Sequence, residues 1–212
     1  MKRLHSTLII VLFFISCSSS RKISGNWVSL FDGKTFTGWK ASETPTSFTI
    51  RDGMIVINGN RGHLFYEGDI AQHNFKNFEF TADVMTEPGS NSGIFIHTQY
   101  QETDWPAKGY EVQVNNSHTD WRRTGSLYDI NDVKETYVKD KEWFTEYIKV
   151  EGKNVTVKIN GKTVMEYTEP EGIEKEKGRE LKHLSSGTIA LQAHDPNSKV
   201  YFKNIKIKVL PG

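Results

Sequence analysis

The sequence predicts an all-β protein, two antiparallel sheets packed as a sandwich or jelly roll. Three observations predict it. From Trp27 onward, apolar residues recur at alternate positions in about a dozen short runs, the period of a strand with one buried face. Tight-turn pairs such as Asp52-Gly53 and Asn160-Gly161 separate those runs and favour two-residue hairpins, because their backbones tolerate positive φ. No stretch holds a 3.6-residue apolar period long enough for an amphipathic helix, and no 20–50-residue repeat is found.

The N-terminus stands apart from the fold. Lys2 and Arg3 precede an apolar run, Leu8–Ile15, that is too short to span a bilayer. Residues 1–16 read as a secretory signal ending at Phe14-Ile15-Ser16. Cys17 follows and is the chain's single cysteine. A small residue directly before a cysteine at this point resembles the lipobox of bacterial lipoproteins, although Phe14 stands where Leu is usual. Residues 17–25 are then a lipidated Cys17 and tether, and 26–212 the folded domain. The expected location is the bacterial cell envelope, as a lipoprotein on the periplasm-facing side of the outer membrane. It would meet the membrane only through that anchor.

The strands follow in order. Leu30-Phe31 runs into the turn Asp32-Gly33, and Gly38-Trp39 follows. Phe48–Ile50, Asp52-Gly53 and Met54–Ile57 make strand, turn, strand. His63–Tyr66 comes after a Gly/Asn loop, and Phe78–Val84 alternates cleanly until Pro88-Gly89 stops it. Ile94–Gln99 and Tyr110–Asn115 are next, then an irregular segment to Asp140. Trp143–Val150 and Asn154–Ile159 join through Glu151-Gly152, and Asn160-Gly161 leads into Lys162–Tyr167. Glu169–Lys182 is charged and holds Pro170, Gly172 and Gly178, so it reads as a mobile loop with a short helix as the alternative. Gly187–Ala193 and Lys199–Val209 close the domain.

Charge excludes some partners. The 212 residues carry 27 basic and 26 acidic side chains, and loss of the signal leaves 25 against 26, a formal −1. That balance gives no electrostatic reason to expect nucleic acid. With no disulfide available to the exported domain, stability must come from packing.

The chemistry concentrates in Asn91–Tyr128 and in Thr188–Asp195. In Tyr110–Asn115, Glu111 and Gln113 share one face about 7 Å apart, opposite Tyr110, Val112 and Val114. In Ile94–Gln99, His97 and Gln99 oppose Ile94 and Ile96. In Thr188–Asp195, Gln192 and His194 oppose Ile189, Leu191 and Ala193. Three strands thus offer an acid, amide or imidazole two residues from another. They describe either a polar binding face or a hydrogen-bonded layer that binds nothing. Trp105, Tyr110, Trp121 and Tyr128 lie in or beside the adjoining loops, where rings stack on the C–H faces of sugars while amides and acids bind hydroxyls. Trp39 and Trp143 are assigned to the core.

Other chemistries are poorly served. The histidines show no metal-ligand spacing, so no metal site or cofactor is expected, with a loop-bound Ca²⁺ left open. There is no Gly-x-Ser-x-Gly elbow. Ordinary glycosidases place two carboxyl groups about 5 to 9 Å apart, and the best cluster offers only Glu111 beside an amide. Asp83 from another strand is the example of a second acid that could still meet it.

Six segments resemble, in order, the 3-keto-disaccharide hydrolase family. They are Trp27–Lys34 with Gly38-Trp39, Asn91–Phe95, Gly109–Val114, Thr124–Tyr128, Asn160-Gly161 with Gly187–His194, and Val200–Ile205. The resemblance spans Trp27–Leu210. It departs at His97 and Lys203, where the family often has Arg. It implies a concanavalin-like jelly roll, an exported bacterial protein, a small carbohydrate as ligand, and cleavage of glycosides already oxidised to the ketone at C3. Such a ketone acidifies the C2 proton, so one base and one acid suffice for elimination and water then adds back. In that reading Glu111 and His194 are the catalytic pair, either one as base. Asn91, Gln113 and Gln192 bind hydroxyls, Arg122 stabilises the enolate oxygen, and Tyr128, Trp121 and His97 contact the sugar. The alternative is a lectin-like module that binds sugar without cleaving it.

Overall fold

The computed structural model describes residues 25–212; the expected secretory signal, Cys17 and the first part of the expected tether lie outside the described residues. Thirteen strands and three short 3₁₀ turns are found there. In chain order the strands are β1 Val28–Ser29, β2 Trp39–Ala41, β3 Phe48–Arg51, β4 Met54–Asn58, β5 Gly62–Tyr66, β6 Phe78–Thr86 and β7 Ser92–Thr98. They continue as β8 Tyr110–Val114, β9 Phe144–Glu151, β10 Asn154–Ile159, β11 Lys162–Thr168, β12 Thr188–Ala193 and β13 Lys199–Val209. All pair antiparallel. One sheet runs β11-β10-β9-β6-β13-β4-β3 with β1 beside β13, and the other runs β2-β5-β12-β7-β8.

The alternation in the sequence decides which faces meet. Phe78, Phe80, Ala82 and Val84 of β6 pack with Phe144 and Ile148 of β9 and with Val200, Phe202, Ile205 and Ile207 of β13. The opposing sheet contributes Leu64, Ile94, Ile96, Val112, Val114, Ile189 and Leu191 to the same core. Trp39 is buried there, its indole N–H donating to Leu30 O at 2.6 Å. Trp143 departs from expectation: it is exposed, with the Lys203 ammonium 3.8 Å above its ring. It lies just before β9, where a cation–π stack replaces burial. Asp83 also departs. It sits on the solvent side of the larger sheet, accepting from Thr145 at 2.9 Å and Asn204 at 2.7 Å, across the sandwich from Glu111.

One core position breaks the pattern. Glu146 shares the inner face of β9 with Phe144 and Ile148, is fully buried, and has no partner for either carboxyl oxygen. Burial pushes its pKa well above the ordinary value, so the group is held neutral. The folded state therefore keeps a proton that the unfolded chain releases above pH 4.5, and stability falls as pH rises from there. Glu146→Met is expected to raise the melting temperature. Removing an unpartnered buried carboxyl is worth about 1–3 kcal/mol, and each kcal/mol is about 2–4 °C in a domain of this size. Calorimetry should find a larger gain at pH 8 than at pH 4.

Candidate active site on the smaller sheet

The solvent-side face of the smaller sheet carries the residues that alternate with the core. They are His63 and Phe65 from β5, Ala190 and Gln192 from β12, Gly93 and Phe95 from β7, and Glu111 and Gln113 from β8. Half of this face is covered by the segment after β7. Tyr100 packs edge-on against Phe65 at 5.4 Å, and Trp105 lies over His63 at 5.6 Å. Arg61 fastens the segment, bonded to Glu43 at 2.8 Å and to Asp104 at 3.0 Å. The uncovered half, over β12, β7 and β8, is a cavity of about 330 Å³. That is at the lower end of the roughly 300–1,000 Å³ of small-molecule sites, suited to one or two sugar rings rather than a long chain.

Glu111 forms its floor. The side chain lies across β7 toward β12, where Gln192 Nε2 donates to Oε1 at 2.7 Å. Gln113, with its amide nitrogen turned inward, donates to the same oxygen at 3.3 Å and to Ser92 O at 2.8 Å. Glycine at position 93 permits this path, since a Cβ there would stand 2.2 Å from Oε1. Burial raises the Glu111 carboxyl to about 8, against the lowering effect of the Gln192 hydrogen bond; nearby Asp120 raises it further and Lys182 lowers it. The group is thus largely protonated at pH 7.

His194 forms the wall just past the end of β12. Its Nδ1 is 2.8 Å from Asp195 Oδ2, which assigns the proton to Nδ1 and leaves the Nε2 lone pair free. Burial acts to raise the Asp195 pKa, but hydrogen bonds from Ser198 and His194 outweigh it and hold the carboxyl below its ordinary range. Asp195 is therefore an ionised orienting partner. The imidazole sits between the rings of Trp105 (5.4 Å) and His118 (5.6 Å). Asn91, nearly buried, donates toward His118 Nδ1 at 3.4 Å, and its Oδ1 has no partner. Tyr128 completes this side, its hydroxyl 3.3 Å from Asp120.

The cavity thus brings together Asn91, Glu111, Gln113, Tyr128, Gln192 and His194. Three expected residues stand elsewhere. His97 is turned into the interior by a bulge: β7 carries one residue more than β12 between the pairs Thr98–Thr188 and Phe95–Ala190, and His97 has φ +54°. Its ring packs on Phe78 at 5.7 Å, lies 2.9 Å from Lys76 O through Nε2, and accepts from Ser185 N–H at 3.1 Å. Burial lowers its pKa to about 4, so it serves as a neutral structural peg. Arg122 is held by Asp120, Asp129 and Asp132 at 3.6, 2.8 and 3.2 Å. It braces Tyr128 from behind, 4.6 Å from the ring, rather than facing the cavity. Trp121 is exposed beside Arg123 and Lys134 in a separate shallow depression, because its loop turns outward.

Two cations missed by the sequence reading stand in their place. Arg179 and Lys182, from the charged segment between β11 and β12, line the cavity. Arg179 Nη2 donates to Tyr110 Oη at 3.0 Å, and Tyr110 donates in turn to buried Glu169 at 2.6 Å. The periodicity that reveals strands gives no signal in such a loop. Among the described residues no group of three His, Cys, Asp or Glu side chains is arranged to hold a metal.

Comparison with known proteins bears on the family and the fold. The family model for 3-keto-alpha-glucoside-1,2-lyase-like domains matches residues 26–208. A 3-keto-disaccharide hydrolase of Bacteroides thetaiotaomicron is 30% identical, over 87% of this chain and 78% of that protein. A crystal structure from Parabacteroides distasonis, provisionally assigned as a glycosyl hydrolase, is similar with a TM-score of 0.73 and 26% identity, covering 87% of this chain and 94% of that one. A Bacillus subtilis protein of galectin-like fold shares the architecture at a TM-score of 0.61 and 10% identity, over 88% of this chain and 96% of that one. The expected all-β jelly roll is the fold observed.

Proposed function

The chain belongs to the family of 3-keto-alpha-glucoside-1,2-lyase-like domains, and on that premise we propose that it cleaves glycosides oxidised to the ketone at C3, by elimination across C1 and C2 followed by hydration. The observation that carries this reading is the pairing in one cavity of a protonated carboxyl, Glu111, with an imidazole oriented by a carboxylate, His194–Asp195. A sugar-binding module has no use for a buried acid with a raised pKa, whereas an elimination needs one proton donor and one acceptor.

The roles follow from protonation. His194 Nε2 takes the C2 proton, and Asp195 stabilises the imidazolium that forms. Glu111, already protonated, gives its proton to the departing C1 oxygen. Water then adds its oxygen to C1 while a proton returns to C2. The unpartnered oxygens of Asn91 and Gln192 accept hydrogen bonds from sugar hydroxyls, and Trp105 and Tyr128 flank the ring.

The test is incubation of the purified protein with 3-keto-glucosides and their unoxidised parents in D₂O. Aglycone release from the keto sugars alone, with deuterium at C2 of the product, is the expected result. Cleavage of the parents at the same rate, or a product without deuterium, would exclude the mechanism. The lipid anchor belongs to the same proposal. With Cys17→Ala, the protein is expected to move from the membrane to the soluble fraction of the cell envelope, as fractionation would read directly.

A further inference from the structure

The cavity carries more positive charge than a neutral sugar requires. Asp129 on its wall is paired with Arg122, and Glu111 is protonated, so Arg179 and Lys182 stand unbalanced among the lining residues. Arg179 is also held in a particular way. Its Nη2 is fixed by Tyr110 and its guanidinium lies 5.6 Å from the Tyr110 ring, while its buried Nε–H has no acceptor. Tyr110 is anchored in turn by Glu169, which also accepts from the Leu184 N–H at 2.7 Å. A cation on a rigid mount beside the cavity needs no reorganisation when negative charge develops there.

We propose that Arg179 is the catalytic residue that receives the enolate, its guanidinium hydrogen-bonding the C3 oxygen while Lys182 adds positive charge beside it. The inference rests on the elimination reading and adds the group that reading lacked. As the C2 proton passes to His194, the C2–H electron pair forms the C2–C3 double bond and the carbonyl electrons move onto O3, which becomes negative. When those electrons return, the C3 carbonyl re-forms, a C1–C2 double bond appears, and the C1–O bond breaks with its oxygen protonated by Glu111. Arg179 neither gains nor loses a proton. Arg179 and Lys182 line the same cavity as Glu111 and His194, so their charge stands beside the reacting groups.

The test uses the purified protein with methyl 3-keto-glucoside, and with unoxidised methyl glucoside as a ligand that forms no enolate. Arg179→Gln is expected to lower kcat by about 10²–10³-fold and to leave Kd for the unoxidised glucoside within about threefold. Arg179→Lys is expected to recover part of the loss. Lys182→Gln, at an exposed side chain remote from the core, is expected to lower kcat several-fold. Unchanged kcat in Arg179→Gln, or equal loss of kcat and of glucoside binding, overturns the proposal. Should Arg179→Gln fail to fold, Lys182→Gln decides, and an unchanged kcat there overturns it. Failure of the elimination reading looks different, because the wild-type protein would then release no aglycone from the keto sugar.

Discussion

Glu111→Gln is expected to lower kcat for a 3-keto-glucoside by about 10²–10⁴-fold, the range that positioned acid–base catalysis supplies, with binding of the unoxidised glucoside changed only a few-fold. Glutamine preserves the length of the side chain and its place across Gly93, so the hydrogen bond from Gln192 keeps its acceptor. What it removes is the transferable proton. The wild-type pH profile carries a matching signature. Glu111 acts in its protonated form, and burial holds its pKa at about 8, so kcat should fall as pH rises through that value. In Glu111→Gln the alkaline limb should vanish along with most of the rate. A variant that keeps both the rate and the limb would show that the proton comes from elsewhere. Stability responds in the same direction. The folded state holds the Glu111 proton between pH 4.5 and about 8, where the unfolded chain has released it, so this carboxyl makes the fold less stable as pH rises across that window.

Much of this was legible beforehand because strands have a period of two. Glu111, Gln113, Gln192 and His194 could be grouped from spacing alone, and the chain places them in one cavity although about eighty residues separate the two pairs. The same rule misled at His97. A bulge adds one residue, and every inference about facing is inverted past that point. Arg122 misled for another reason. Residue type announces a cation, but only the fold shows three aspartates already around it. Arg179 and Lys182 were hidden in a segment whose charges look solvated until Tyr110 and Glu169 hold it against the sheet. Position 93 was visible only as the glycine of Asn91-Ser92-Gly93. The need for it lies in a neighbouring strand.

That need supports the second large effect. Gly93→Ala is expected to cost about 10²-fold in kcat, the loss that displacement of a reacting group by 1 Å can cause. A Cβ at this position would lie 2.2 Å from Glu111 Oε1 and 2.8 Å from its Cγ and Cδ, so the carboxyl must leave the floor of the cavity. The backbone of residue 93 sits in regular β7 pairing with Gln113 and has no positive φ, so the methyl acts through space rather than through strain. Its structural cost should stay near the roughly 1–3 kcal/mol of an overpacked site. The effect on the rate should also depend on Glu111 being present. In a Glu111→Ala background, adding Gly93→Ala should change kcat little and should no longer lower the melting temperature, because the clash has lost its partner. Additive losses in the double variant would mean that Gly93 supports the sheet for its own sake. The acid would then not owe its position to the missing side chain beneath it.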